Sequence, residues 1–202
     1  MGNEAPFVSV VDDDALVLRS LGRLLRSAGF AVRTFPSSQE FLAHSRNGEP
    51  GCLVLDLTMP GLNGLELQQM LANSNNPCSV VFLSGHADIP ASVKAMKAGA
   101  VDFLTKPVDR EKLLAAVRTA IGRDRSARAE REARDSIASR LAKLTPRERD
   151  VLAGVVAGKL NKQIAALLGT AEKTVKVHRA RVMRKMGAGS LAELVLLARD
   201  VR

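Results

Sequence analysis

Short apolar runs alternate with stretches of helical spacing through the first part of the chain. The runs are Phe7–Val11, Ala31–Phe35, Cys52–Leu55, Val80–Leu83 and Val101–Leu104. Several are almost continuously apolar. A strand with one wet face would alternate, so these read as parallel strands buried on both faces. Between and after them lie Ala15–Ala28, Ser38–Ser45, Gly64–Ala72, Ile89–Ala98 and Arg110–Ile121, where apolar residues recur at helical intervals. Leu18, Leu21, Leu24 and Leu25 make one such stripe. Five strand–helix units in strict alternation predict an α/β doubly wound fold around a five-stranded parallel sheet. Ligands of such a sheet bind beyond the carboxyl ends of its strands.

The period changes after Ile121. From Gly122 to Arg140 the chain is charged and Ala-rich, with no Pro and no large apolar residue before Ile137. This segment suits an exposed helix laced by opposite charges, or equally a disordered tether. Ala133, Ile137, Leu141 and Leu144 form a weak stripe able to dock on the second domain or on a partner helix. From Leu144 onward every pattern is helical. Thr145-Pro146-Arg147-Glu148 is a helix start with a cap, a proline at the first position and a capping-box acid. Helices are predicted at Arg147–Ala157, Asn161–Leu168, Glu172–Met186 and Leu191–Arg199, three of them closed by Gly158, Gly169 and Gly187. The expected organisation is 1–122 for the α/β domain, 123–142 for a helical linker and 143–202 for a small all-α domain.

Charge sharpens this division. Residues 1–122 hold 11 Lys/Arg against 12 Asp/Glu, whereas residues 123–202 hold 19 against 9. A near-neutral domain joined to a strongly basic one suggests that the second meets a polyanion. All six Phe lie in the first part, and the chain has no Trp or Tyr. The basic part thus has no aromatic platform for single-stranded bases, which favours duplex DNA. No apolar run is long enough to span a membrane, and Met1–Pro6 lacks the basic start and apolar stretch of a signal peptide, so the expected location is cytoplasmic. Cys52 and Cys78 match no metal spacing and read as small buried apolar residues at strand starts, with a disulfide the less favoured alternative.

Several chemistry-bearing residues fall at carboxyl ends of the predicted strands. Asp12 and Asp13 follow the first, Asp56 ends the third, Ser84 ends the fourth, and Lys106 follows the fifth. Taken singly, each has an ordinary explanation: Asp12, Asp13 or Asp14 as helix-start acids, Asp56 as a turn residue before Met59-Pro60-Gly61, Lys106 as a surface lysine. Together they converge on one sheet edge. Three carboxylates there repel one another and call for a hard divalent cation, for which Mg²⁺ is the natural choice. Lys106 and Ser84 then offer an ammonium and a hydroxyl to an incoming anion. A nucleophilic carboxylate in that company is equipped to take a phosphoryl group.

The basic domain carries a second constellation. Asn161–Leu168, a turn at Gly169–Ala171 and Glu172–Met186 make a helix-turn-helix pattern. Ile164, Leu167, Leu168, Val175, Val182 and Met186 are its expected core. Lys173, Lys176, His178, Arg179, Arg181, Arg184 and Lys185 remain for the other faces of the third helix. A major groove accepts one such helix, and the flanking phosphates take Lys, Arg or backbone amides. A solvated amphipathic helix is the plainer alternative.

These motifs carry a family resemblance. Val10-Val11-Asp12-Asp13-Asp14, Leu53-Val54-Leu55-Asp56-Leu57-Thr58-Met59-Pro60-Gly61, Leu83-Ser84-Gly85-His86-Ala87-Asp88 and Ala98–Pro107 resemble the receiver domain of bacterial response regulators over residues 6–122. Leu144–Arg149, Asn161–Ala165 and Thr174–Arg179 are similar to the LuxR-type helix-turn-helix, and the whole chain resembles the FixJ branch of the NarL/FixJ response regulators. The resemblance implies that a sensor histidine kinase phosphorylates Asp56. It implies metal ligation by Asp13, Asp56 and the carbonyl of Thr58, with Asp12 acting mostly through water. Ser84 and Phe103 would be the switch pair, Lys106–Pro107 a cis bond, and His86 an influence on loss of the phosphoryl group. Lys176, Val177 and Ala180 would face bases, and Lys162, Thr174, His178 and Arg179 would hold the DNA backbone. Phosphorylation would produce a homodimer on a double-stranded operator, with RNA polymerase as a further partner.

Two departures stand out: Ala180 where some relatives carry lysine, and Ala171 where a capping Ser is common, which leaves Thr170 as the alternative cap. The chain is expected to be no enzyme beyond its own phosphoryl chemistry. An aspartyl-phosphate phosphohydrolase would carry a second acid at position 58, where this chain has Thr58. An adaptor with a vestigial basic domain is disfavoured by the intact helix-turn-helix.

Overall fold

A computed structural model describes residues 7–44, 51–73, 78–85 and 89–199, so His86 and the first six residues lie outside the described residues. Strands β1 (Phe7–Val11), β2 (Ala31–Phe35), β3 (Gly51–Asp56), β4 (Ser79–Ser84) and β5 (Asp102–Thr105) form one parallel sheet in the order β2-β1-β3-β4-β5. Val8, Val10, Leu53, Val54, Leu55, Val81 and Phe82 are buried almost completely, which is why these runs show no polar alternation. Helix α1 (Ala15–Ser27) and helix α5, which starts at Arg110, cover one face; α2 (Ser38–His44), α3 (Gly64–Ala72) and α4 (Ile89–Lys97) cover the other. Since β1 has β2 on one side and β3 on the other, the strand order reverses beside it. That is where a doubly wound sheet opens a crevice. Val11 pairs with Leu55, so the residues that follow β1 and end β3 emerge side by side.

Cys52 packs in the core on the α1/α5 face, whereas Cys78 lies against the core on the opposite face. Neither forms a disulfide, and burial pushes the Cys52 thiol well above its usual range.

The linker expected at 123–142 is helical, and it continues the helix predicted to end at Ile121: α5 runs unbroken from Arg110 to Ala142. Gly122 costs a helix only about 1 kcal/mol relative to Ala, and the neighbouring Ala, Arg and Glu favour helix. The apolar stripe simply lapses where there is no core to meet. The chain separates into two compact units, Met1–Ala127 and Arg128–Arg202. Asp124 belongs to the first: its buried carboxylate accepts from the Gly51 N–H at 2.9 Å. Ile137 and Leu144 belong to the second, buried in its core with Leu141 against them, while Ala133 is exposed.

The second unit adds α6 (Pro146–Val156), α7 (Asn161–Leu168), α8 (Glu172–Met186) and α9 (Leu191–Arg199). Val151, Val155, Ile164, Val175, Val182, Met186 and Leu194 are its core. Leu167, expected there, is instead 67% exposed. Ile164, Ala165 and Leu168 set the inward direction of α7, and Leu167 sits roughly 110° away from it at 100° per residue.

Thr145 caps α6, accepting from the Glu148 N–H, while Glu148 accepts from the Thr145 N–H at 2.9 Å. The Glu148 carboxylate is also 2.6 Å from Lys185 Nζ, at the far end of α8. The bond from Lys185 and the backbone bond from Thr145 hold its carboxyl down to about 2. A depressed carboxyl stabilises the fold above its unfolded value of 4.5 and loses that contribution as pH falls towards 2. The second unit should therefore melt at lower temperature as pH drops through this window, followed through the Met183 and Met186 methyl NMR signals. Glu148→Gln should lower the neutral-pH melting temperature and flatten the acid slope. An unchanged acid slope would remove Glu148 from this role.

Among the described residues, no helix is long and apolar enough to cross a membrane.

Candidate functional site

The carboxyl edge of the sheet brings five of the sequence-predicted residues together. Asp12, just past β1, is fully buried. Its Oδ1 accepts from the Asp14 N–H at 3.0 Å and its Oδ2 takes Lys106 Nζ at 2.6 Å. Asp14 serves α1 as its N-cap, accepting from the Leu16 N–H at 2.7 Å. The three consecutive acids thus divide their work: Asp14 caps a helix, and Asp12 and Asp13 face the crevice. Asp56 is buried at the end of β3, with Oδ1 3.0 Å from Lys106 Nζ. Carboxylate oxygens of Asp12, Asp13 and Asp56 all lie within 4.8 Å of one another. Asp13 is the exposed member.

Charge in this pocket does not balance. Among the described residues three carboxylates face one ammonium, leaving a deficit that a divalent cation would fill. Burial raises the Asp56 carboxyl; Lys106 pulls it down, Asp12 and Asp13 push it up, and the outcome is a raised value. For Lys106, burial works to lower the ammonium, but hydrogen bonds to Asp12 and Asp56 outweigh it and the net direction is up. An oxygen donor set of this charge suits a hard ion such as Mg²⁺. The residues present therefore fit the metal.

Backbone geometry fixes the cationic side. Lys106 N–H donates to the Ser84 carbonyl at 2.7 Å, and the Lys106–Pro107 bond is cis. Ser84, buried at the end of β4, lies in register with Thr105. Phe103 is half-buried on β5 opposite Phe82, their ring centroids 6.2 Å apart. Thr58 is exposed on the loop two residues beyond Asp56.

One supporting residue has no signature in the sequence. A Cβ on Gly64 would stand 2.4 Å from the Asp56 carbonyl oxygen. The start of α3 approaches the end of β3 that closely, so any side chain there displaces the Asp56 backbone.

The second unit presents the other candidate surface. Gly169 ends α7 in the left-handed conformation, φ 61°, and turns the chain into α8. Ala171 is the N-cap residue of α8 and supplies no side-chain cap. Lys162, Thr174, Lys176, Val177 and Ala180 are exposed, while His178 and Arg179 are half-buried. Lys176 Nζ lies 3.5 Å from Glu172, an exposed pair of little strength. Arg179 is more tightly held, donating from Nη1 to Asn161 Oδ1 at 3.0 Å. Lys185 departs from expectation: it turns inward to Glu148 and to the Lys143 carbonyl at 3.0 Å rather than joining the outer basic face. Glu148 is 37 positions away along the chain, so no periodicity signals that pairing.

Comparison with known proteins bears on both surfaces. Residues 8–118 match the response regulator receiver domain, and residues 142–198 match the bacterial regulatory proteins of the luxR family. The chain is 46% identical to nodulation protein W of Bradyrhizobium diazoefficiens, over 95% of this chain and 84% of that protein. It is 45% identical to the transcriptional regulatory protein FixJ of the same organism, over 95% and 93% respectively. Among solved structures, the response regulator StyR is similar with a TM-score of 0.89 at 47% identity, covering 96% of this chain and 98% of that one.

Proposed function

Because the chain belongs to the two-component response regulators of the NarL/FixJ type, with a receiver domain and a LuxR-type DNA-binding domain, we propose that a sensor histidine kinase phosphorylates it on Asp56 and that the phosphorylated form dimerises on duplex DNA to regulate transcription. The observation that carries this reading is the pocket itself: Asp56 at a strand end, beside two further carboxylates and 3.0 Å from Lys106 Nζ.

An oxygen of Asp56 attacks phosphorus of a phosphohistidine. The P–N bond breaks as the P–O bond forms, and the departing imidazole takes a proton. Lys106 lies where it can hold the oxygens of the transferred group. Asp13 and Asp56, with the Thr58 carbonyl, would hold Mg²⁺, and Asp12 would act through water because Lys106 and the Asp14 N–H already engage its two oxygens. The bound ion would neutralise charge on the phosphoryl oxygens. Ser84 would then move its hydroxyl towards the new anion, and Phe103 would follow into the space beside Phe82. The chain acts as a regulator that keeps its phosphoryl group for a time, not as an enzyme with turnover.

Helix α8 would enter the major groove, with Lys176, Val177 and Ala180 toward bases and Lys162, Thr174, His178 and Arg179 toward phosphates. The Asn161 bond gives Arg179 a fixed direction before DNA arrives. RNA polymerase is the further partner of a DNA-bound dimer.

Lys176 and Lys162 should fail differently. Lys176→Ala should cost roughly 1–3 kcal/mol on the preferred duplex and relax preference at one base pair. Lys162→Ala should weaken preferred and scrambled duplexes alike and reduce the salt slope by about one. Binding isotherms across a salt series read both. Equal losses on both duplexes for Lys176→Ala would show that α8 does not read sequence through that residue.

A further inference from the structure

We propose that Arg140, in the last turn of α5, is a positioning residue for DNA reading: it pins the C-terminal end of α8 and so sets the angle at which α8 presents Lys176, Val177 and Ala180. The proposal rests on the DNA-binding reading above and adds to it a residue outside the helix-turn-helix.

The last carbonyls of a helix have no partner within it. At the end of α8 the Gly187 N–H closes on the Met183 and Arg184 carbonyls, and the Ala188 N–H closes on Met183. The Met186 carbonyl takes its donor from elsewhere: Arg140 Nη1, at 2.8 Å. A guanidinium there also answers the negative end of the helix dipole, and a charged donor makes the stronger kind of hydrogen bond. The fit is close. A Cβ on Gly187 would come within 2.9 Å of Arg140 Nη1, and Gly187 itself holds the left-handed turn that stops the helix, φ 67°.

Neighbouring contacts reinforce the same joint. Lys185 reaches back to the Lys143 carbonyl and to Glu148. Ile137 and Leu144 share a core with Val182 and Met186, with Leu141 packed against it. The opposite end of α8 has no side-chain cap. Beyond its core contacts at Val175 and Val182 and the Arg179–Asn161 bond, the helix is thus held by polar bonds at the end away from Lys176.

Leverage makes that anchor matter. Met186 is ten residues beyond Lys176, about 15 Å along the axis. A tilt of about 5° at the anchor moves the reading end by roughly 1.3 Å over that length. Hydrogen bonds to base edges tolerate only a few tenths of an ångström, whereas general attraction to phosphates survives such a shift. Loss of Arg140 should thus damage sequence preference more than DNA affinity at large.

The test uses the full chain, a duplex that the wild-type chain selects from a random-sequence pool, and a scrambled duplex. Arg140→Ala should bind the selected duplex about tenfold more weakly and the scrambled duplex nearly as well as before. Arg140→Lys, which keeps charge and a donor, should recover most of the loss. Phosphoryl uptake at Asp56 should be unchanged in both. If Arg140→Ala does not fold, Arg140→Gln keeps a neutral donor and should show the same selective loss at smaller size. An unchanged ratio of selected to scrambled affinity in the folded variant, or an Arg140→Lys chain as impaired as Arg140→Ala, would overturn the proposal. A wild-type chain that enriches no sequence from the pool would sink the DNA-reading account first, before any variant is compared.

Discussion

Asp56→Asn should take up no phosphoryl group from acetyl phosphate and Mg²⁺, while the wild-type chain gains one, read as a single phosphate increment in intact mass. Position singles out this residue. Asp56 is the buried carboxylate whose Oδ1 faces Lys106 Nζ at 3.0 Å. Asp12 has both oxygens engaged, by Lys106 and by the Asp14 N–H. Asp13 is exposed at the rim. An amide at position 56 keeps the size of the side chain but is a far weaker nucleophile, and it has no carboxylate oxygen from which an acyl phosphate could form. The effect is all or none. Equal labelling of the asparagine variant would move the acceptor elsewhere.

The second large effect is expected at Asp13. Its carboxylate is exposed, so a water-like dielectric applies, in which a unit charge and a divalent ion about 3 Å apart attract by about 3 kcal/mol. Asp13→Ala should therefore weaken Mg²⁺ binding by about 100-fold and slow phosphorylation at limiting Mg²⁺ to match. Titration of Mg²⁺ by calorimetry, or by the shift of amide resonances around Asp56, would measure it. Unchanged affinity would reduce Asp13 to a surface acid beside the α1 cap. Lys106 is the useful contrast. Its ammonium opposes the metal and favours the phosphoryl group, so Lys106→Ala should leave Mg²⁺ affinity intact or raise it.

Much of this site is legible in the sequence because a doubly wound sheet makes strand ends meet. Asp12 and Lys106 are 94 positions apart, yet each follows a strand in strict β–α alternation, and that topology brings them together. The strands are legible for a related reason: buried on both faces, they cannot alternate. Legibility ends where the partner is a backbone atom or where no core exists. The continuation of α5 past Ile121 has no apolar stripe to mark it, only helix-favouring composition. Lys185 reads as one more basic residue on α8 until Glu148 is seen beside it. Arg140 bonds a carbonyl and Gly64 makes room for one, and carbonyls are the same at every position. The place of Arg179 on its helix points to phosphate, but its bond to Asn161 is a tertiary contact that spacing does not reveal. Leu167 reads as core because leucine usually belongs there, and the eight-residue α7 has room for only one inward arc.

Phosphorylation of Asp56 is proposed to govern DNA binding by the basic domain. Sedimentation of the full chain with a fluorescent duplex that it selects, with and without acetyl phosphate and Mg²⁺, measures this directly. Phosphodonor should convert the wild-type chain to a heavier complex with two protomers per duplex and tighten binding, whereas Asp56→Asn should give the same weak binding in both conditions. Wild-type binding and stoichiometry that ignore the phosphodonor, although mass shows Asp56 phosphorylated, would contradict that control.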